Sequence, residues 1–553
     1  MPTLELDKKE FLAALGKQVD DATLRKSISL MGIEVDDITA SEIHVEVFPQ
    51  RPDLLSLQGI VRNLKRYLGL GKKKSYVVKS SSYKVLVDKS VNKVRPYTAC
   101  AVVTGIHFSD QLIKDVIQIQ EKLHVTFCRN RKKAAIGVYP LEDITFPIYY
   151  KAAKPKEISF IPLEADREMN GLEILQKHPT GREYAHLLEG KDLFPYFIDA
   201  KNNILSMPPI INSEMTGRIT EKTKDVFIEA SGFDFETVHA IVKMIVAALI
   251  DMGGVAHEIS VSYPDGVKKT PSVKEEVMKL HVEKANAWTG LDLSVKEMKS
   301  ALAKMDYEVS GEGKILSVTI PFYRTDILHE VDLWEDVAIG FGYDKITPEL
   351  PNITTVGKVS NEDAFAEAVS EVLVGAGLTE VKLYGLMNKE LASTTTNQDT
   401  KKLVTLLNPS SSEYNVLRKD LLSGMLGLLG ANKHNEYPQD IFEVGRVFSK
   451  DAKEESGVKE TDHIAVLVAR EDADFTKAKQ VLDCIAKNLG FSISITEKED
   501  ALFVPGRSGT IMLGSKQLGR IGEIHPEVLA RLGVEMPTAG FEIAIKDLFS
   551  HLF

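Results

Sequence analysis

PFYRTDILHEVDLWEDVAIGFGYDKI, residues 321–346, is the stretch that says most about this chain. Pro321-Phe322-Tyr323-Arg324 reads as a strand end, and Thr325 or Asp326 is expected to cap a helix N-terminus. Apolar residues then return at helical spacing at Ile327, Val331, Trp334 and Ala338. Asp332, Glu335 and Asp336 stand at i, i+3 and i+4, so they crowd one helix face away from that stripe. Like charges so placed repel by a few tenths of a kcal/mol per pair unless a cation sits among them. Asp326 adds a fourth carboxylate at the N-terminal end. Oxygen-only ligands in a loose cluster suit a partly hydrated Mg²⁺ better than zinc. The plainer alternative is a solvated acidic face.

The same segment resembles the signature of the β subunit family of phenylalanyl-tRNA synthetases, in which an R-x-D-I strand end leads into D-L-x-E-[ED]-V-A and then G-Y-D-x-I. The resemblance implies a Mg²⁺ site shared with a partner α chain, with Asp326, Asp332, Glu335 and Asp336 as its carboxylates. It extends along the chain. Arg51 to Arg62 reads R-P-D-L-L-S-x-x-G-x-x-R, like the family's N-terminal module. L-N-P-x-S from Leu407, F-E-V-G-R-V-F from Phe442 and Leu518-Gly519-Arg520-Ile521-Gly522-Glu523 resemble its catalytic-like domain.

Length and composition set the frame. At 553 residues, three to five domains are expected, and 44% apolar with 27% charged residues is ordinary for a soluble globular protein. A net charge of −11 argues against a wholesale nucleic-acid coat but leaves room for a local basic patch. One such run spans residues 62–84, with Arg62, Lys65, Arg66, Lys72, Lys73, Lys74, Lys79 and Lys84; another is Arg129, Arg131, Lys132 and Lys133. Either also reads as a solvated surface. The 3 cysteines form no C-x-x-C pair, which fits a reducing cytosol without structural zinc. There is no signal-peptide layout, and the apolar run 241–250 is too short to span a bilayer. A cytoplasmic protein with no membrane contact is expected.

The fold class expected is multidomain α+β. A module over 1–85 leads to an editing-type domain over 90–265 with strands at 100–103, 134–138, 194–198, 204–207 and 225–229. A helix-and-hairpin domain with the acidic segment follows over 272–348. The last domain, 351–553, is expected to be a class II synthetase-like fold on an antiparallel sheet, with strands at 381–384 and 441–448 and a helix around 417–432.

That last domain lacks the chemistry such a fold normally houses. A pentavalent phosphate transition state needs aimed positive charge. The family's motifs provide it as an F-R-x-E strand and a G-x-G-x-x-R helix entry. Here Phe442 is followed by Glu443, and residues 424–430 contain no arginine. A Walker loop is missing as well. The domain therefore reads as a scaffold for a catalytic domain on another chain, where ATP would be bound.

The second domain offers a hydrolytic activity. FIDAKNNILSMPPIINSE, residues 197–214, followed by MTGRITEKTKDVFIE resembles the family's editing region. Bacterial relatives carry G-G-E where this chain has Asn212-Ser213-Glu214, followed by a T-x-D-V-x-x-E run. The resemblance implies that Glu214 recognises the phenol of a wrongly attached tyrosine, with Leu205, Ser206, Asn212 and Ser213 lining the pocket and water attacking. A carboxylate that accepts from tyrosine, and is left unpaired by phenylalanine, can discriminate by orders of magnitude.

The expectation is thus an archaeal or eukaryotic cytosolic type β subunit in an assembly of two α and two β chains. The α chain would join phenylalanine to tRNA-Phe with ATP, and this chain would hydrolyse tyrosine from the mischarged tRNA. Two readings compete: a non-enzymatic scaffold or RNA-binding adaptor, and an independent Mg²⁺-dependent phosphoryl-transfer enzyme.

Overall fold

Pleat parity organises the centre of the chain. In the strand Tyr97–Thr104, Ala99, Ala101 and Val103 turn toward helices, while Cys100 and Val102 turn toward a second sheet. The strands on either side of the neighbouring Val226–Gly232, namely Tyr97–Thr104 and Ala134–Pro140, both pair with it antiparallel. With Val78–Lys79 and Val255–His257 they make a five-stranded sheet in which Ala134–Pro140 is an edge. One face is covered by the helices Asp110–Val125 and Phe235–Asp251. The other packs on a seven-stranded sheet whose edge carries Phe194–Ile198, Ile204–Met207 and Ile211–Asn212 in succession. Tyr139, Tyr150, Phe197 and Phe227 fill the space between the sheets.

The computed structural model describes residues 2–552 and divides into two units, Met1–Leu350 and Pro351–Phe553. The sandwich lies in the first unit. Before it, strands Thr3–Asp7, Glu34–Ile38 and Glu42–Glu46 form a small antiparallel sheet beside helices Lys8–Leu15, Asp21–Leu30 and Leu57–Tyr67. Asp7 caps the first of these helices by accepting from the Glu10 amide at 2.8 Å. After it, Glu276–His281 and the hairpin Glu308–Ser310 and Ile315–Ile320 form a three-stranded sheet. Helices Val282–Thr289, Val295–Lys304 and Glu330–Phe341 pack on it through Leu280, Leu302, Leu316 and Val337.

The second unit is built on a seven-stranded sheet, antiparallel except where Thr379–Glu380 runs parallel to Ile441–Lys450. Helices Asn361–Gly375 and Phe475–Leu489 bury one face through Phe365, Val369, Leu482 and Ile485. Leu422–Ala431 and Pro526–Leu532 bury the other through Leu422, Met425, Leu426 and Val528. The expected α+β class is what the chain adopts.

Several local boundaries differ from the sequence reading, three of them markedly. The helix expected after Thr325 or Asp326 begins only at Glu330, with His329 as its cap. Its start is fixed by Asp332, whose Oδ2 accepts from the amides of Leu328 and His329 at 2.8 and 2.7 Å. Residues 381–384 are not a strand; pairing stops after Thr379–Glu380. The helix expected around 417–432 is shorter, Leu422–Ala431, because Val416–Leu417 pairs with Leu386–Met387 instead.

Candidate functional site

A cavity of about 380 Å³ opens where the edges of the two central sheets meet below the helix Asp110–Val125. Ile113, Val116, Ile136, Val138 and Ile210 supply its apolar wall. Its polar wall holds Ser206, Asn212 and Glu229. Parity explains the last of these. Glu229 shares its strand face with Phe227, so its carboxyl is driven between the sheets and is only 2% exposed.

There Tyr139 Oη lies 2.8 Å from Ser206 Oγ and 3.1 Å from Glu229 Oε1. Burial pushes the Glu229 carboxyl up to about 8, against the weaker opposing effects of Tyr139 and buried Arg95. At neutral pH it is mostly the uncharged acid. The Tyr139 hydroxyl can donate to Glu229 Oε1 or to Ser206 Oγ. Glu229 Oε2 has no hydrogen-bond partner. It is a buried polar atom of a cavity-lining residue with no partner among the described residues, a costly arrangement. Space for this cluster exists because residue 137 is glycine. A Cβ there would stand 2.1 Å from Tyr139 Oη and 2.7 Å from Glu229 Oε1.

The rim is ionic. His124 accepts from the Ile136 amide through Nε2 at 2.9 Å, which places its proton on Nδ1, 3.3 Å from Glu121. Burial lowers its pKa. Arg131 donates to Glu121 at 3.2 Å and to the Ile210 carbonyl at 2.9 Å, and its guanidinium lies 4.1 Å from the Tyr184 ring centre.

Of the five residues expected in this pocket, Ser206 and Asn212 line it. Leu205 is fully buried in the core between the sheets. Ser213 caps the short helix Glu214–Gly217. Glu214 is not a buried free acceptor. Its carboxylate meets Arg218 Nε at 2.6 Å and accepts from the Glu164 amide at 2.8 Å. The bond from Arg218 holds its pKa below the ordinary value. Arg218 and Glu164 both border the cavity, so Glu214 braces the rim rather than the floor. Tyr139 and Gly137 were not singled out from sequence; Arg131 was read only as part of a basic run, and Glu229 only as the end of the T-x-D-V-x-x-E run. The available signal was an acid at an inward position of an otherwise apolar strand, VFIEASG.

The four carboxylates of the acidic segment are drawn to different partners. Arg324, 5% exposed, donates through Nε and Nη2 to Asp326 at 2.9 and 2.7 Å, and through Nη2 to Asp336 at 2.7 Å. Asp336 also accepts from the Tyr307 hydroxyl. Asp332 is spent on the helix start. Glu335 is exposed, its pKa raised by partial desolvation and then by Asp336 and Asp332. Among the described residues no three His, Cys, Asp or Glu side chains converge as metal ligands. As arranged, Arg324 occupies the place that a cation between Asp326 and Asp336 would take, so the four do not fit a shared Mg²⁺.

The basic residues at 62–74 are partly consumed at a junction within the first unit. Arg62 meets Asp251 at 2.6 Å and stacks 3.9 Å from the Tyr323 ring centre, while Arg66 meets Asp306 at 2.9 Å. Lys73 pairs with Glu275 and Lys74 with Asp251. In the second unit, charges on the sheet pair with one another: Arg418 with fully buried Glu443 at 2.7 Å, and His463 with Glu542 at 2.8 Å. Among the described residues no helix is long and apolar enough to cross a membrane.

Comparison with known proteins adds the family. Residues 1–70 match the Phe-tRNA synthetase beta subunit B1 domain, 278–343 the tRNA synthetase B5 domain, and 346–545 the phenylalanyl tRNA synthetase beta chain CLM domain. The chain is 38% identical to the phenylalanine–tRNA ligase beta subunit of Archaeoglobus fulgidus, over 99% of both proteins. It is 36% identical to that of Thermococcus sibiricus over the full length of both. It also resembles the crystal structure of an N-terminal fragment of the Pyrococcus horikoshii beta subunit. The TM-score is 0.60 at 36% identity, covering 62% of this chain and 99% of that one. With relatives of this identity matched from end to end, the chain belongs to the phenylalanine–tRNA ligase beta subunit family.

Proposed function

We propose that this chain works with a phenylalanine–tRNA ligase α chain, two copies of each, and that its central cavity removes tyrosine from mischarged tRNA-Phe. One observation carries the hydrolytic half: the buried Glu229 carboxyl, uncharged at neutral pH, leaves Oε2 without a protein partner beside a cavity apolar on one side. A tyrosyl ring fits the apolar wall, and its hydroxyl hydrogen-bonds to the Glu229 carboxyl at Oε2. A phenylalanyl ring leaves that acceptor unpaired, and sites of this kind discriminate by about 10⁴–10⁵. Water adds to the ester carbonyl, the carbonyl–oxygen bond to the ribose breaks, and tyrosine and a free tRNA 3′ hydroxyl leave. Glu214 keeps the rim in place through Arg218 and Glu164; it is a positioning residue.

Synthesis is assigned to the α chain, which would bind ATP and phenylalanine. The second unit supports that partner rather than reacting. Its sheet charges, such as Arg418 with Glu443, neutralise one another, and the arginines of the ATP motifs are absent from its sequence. No step is assigned to Mg²⁺ at the acidic segment.

The test is deacylation of Tyr-tRNA-Phe by the co-expressed complex. Glu229→Ala is expected to abolish it while phenylalanine charging persists; Glu214→Ala should weaken it without changing the preference for tyrosine. Unchanged deacylation by Glu229→Ala would return the chain to a purely supporting role.

A further inference from the structure

We propose that the loop 126–133 at the cavity rim docks the phosphodiester backbone at the 3′ end of an RNA whose esterified terminal nucleoside enters the cavity. The proposal rests on the hydrolytic reading above. Arg129, Asn130 and Arg131 take φ of 52°, 51° and 63°, three successive non-glycine residues in the left-handed region. Such backbone persists only where its surroundings force it. Here the amides of Thr126, Cys128, Arg131 and Asn130 bond to the carbonyls of Lys122, Leu123, His124 and Val125, which satisfies the last turn of the helix Asp110–Val125. No free cation is needed to finish that helix.

Glycine would adopt this backbone without strain, so the side chains need another use. For Arg131 it is visible: its guanidinium is fixed on Glu121, Ile210 and Tyr184 at the cavity wall. For Arg129, Lys132 and Lys133 the fold supplies none. All three are exposed, and their side chains make no hydrogen bond or ion pair among the described residues. Each lies within two residues of Arg131, about 7 Å along the chain. His124, Ala135 and Ile136, on either side of the loop, also line the cavity, so the loop stays at its rim. A rigid tip with a forked guanidinium and two ammonium groups beside a pocket for an esterified nucleoside matches backbone phosphates.

The test uses the assembled α–β complex carrying Arg129→Gly, Lys132→Gln and Lys133→Gln together. Expected are a KM for Tyr-tRNA-Phe raised about tenfold or more, an unchanged kcat, and a salt dependence shallower by about two in the log–log slope. Tyrosyl-adenosine, which has no phosphate, should be hydrolysed as by the wild type. Arg129→Gly alone should melt no lower than the wild type, because glycine adopts the backbone freely. An unaltered KM and salt slope in the triple variant, with the wild type active, would overturn the docking role and leave the hydrolytic reading standing. Equal loss on tyrosyl-adenosine would also overturn it, by placing the residues' effect on the pocket. A wild-type complex inert toward Tyr-tRNA-Phe would overturn both.

Discussion

Replacing Glu229 by glutamine turns its burial into a measurable pH dependence. Glutamine matches the uncharged carboxyl in shape, so the substitution removes the titration while leaving the packing. The carboxyl titrates near 4.5 when solvated and at about 8 in the fold, burial being the main cause. The folded state therefore holds a proton that the unfolded chain releases. This contribution to stability is complete below pH 4.5 and is lost as pH rises through 8. Each pH unit in that window is worth about 1.4 kcal/mol, or roughly 5 kcal/mol across it. That total is an upper bound, because a local opening that admits water to Glu229 limits the loss. Other groups titrate over the same range, so the informative quantity is the difference between the two proteins. Glu229→Gln should match the wild type near pH 4.5 and gain on it by about 1.4 kcal/mol per unit until pH 8, then run parallel. Hydrogen exchange of peptides covering Ala134–Pro140 and Val226–Gly232 reads this locally and avoids a two-state assumption for a chain of two units. Curves that stay parallel from pH 5 to 8 would mean Glu229 is already ionised, and the account of its pocket as a neutral acceptor would fail.

Three further outcomes follow from the same geometry. Gly137→Ala places a methyl 2.1 Å from Tyr139 Oη, so it should cost about 1–3 kcal/mol by calorimetry and abolish Tyr-tRNA-Phe deacylation while sparing phenylalanine charging. Arg324→Met strands Asp326 and the buried Asp336, with an expected loss of about 3–5 kcal/mol in urea unfolding; adding Asp336→Asn should recover part of it, and strict additivity would show that the pair is uncoupled. Millimolar Mg²⁺ should not raise the melting temperature of the purified chain, since Arg324 already bridges two of the four carboxylates; a saturable rise abolished by Asp336→Asn would reverse that reading.

What the sequence disclosed, and what it hid, divides along the range of the forces involved. Helix caps are local: Asp7, Ser294 and Asp234 each cap the helix that follows directly in sequence. The acidic face at residues 332–336 was legible as a pattern; the partners of its side chains were not. Nothing in helical spacing shows that Arg324 will reach Asp336 across twelve residues, or that Asp332 will be used by the backbone of its own first turn. The pocket depends on contacts of the same long-range kind. Glu214 sits in a polar, motif-like run, whereas Glu229 closes the T-x-D-V-x-x-E run inside the apolar strand VFIEASG. Only the pairing of that strand with Ala134–Pro140, some ninety residues away in sequence, sets Tyr139 and Gly137 around it and closes the space between two sheets. A buried acid in an apolar strand is costly unless a partner or a ligand compensates it, and local sequence contains neither. The same reasoning orders the two candidates physically. Glu214 already has Arg218 and an amide to accept from, so a ligand there must compete with them. Glu229 Oε2 has nothing, and an incoming hydroxyl gains the whole bond. That asymmetry, rather than motif position, is why the tyrosine-sensing role is placed on Glu229.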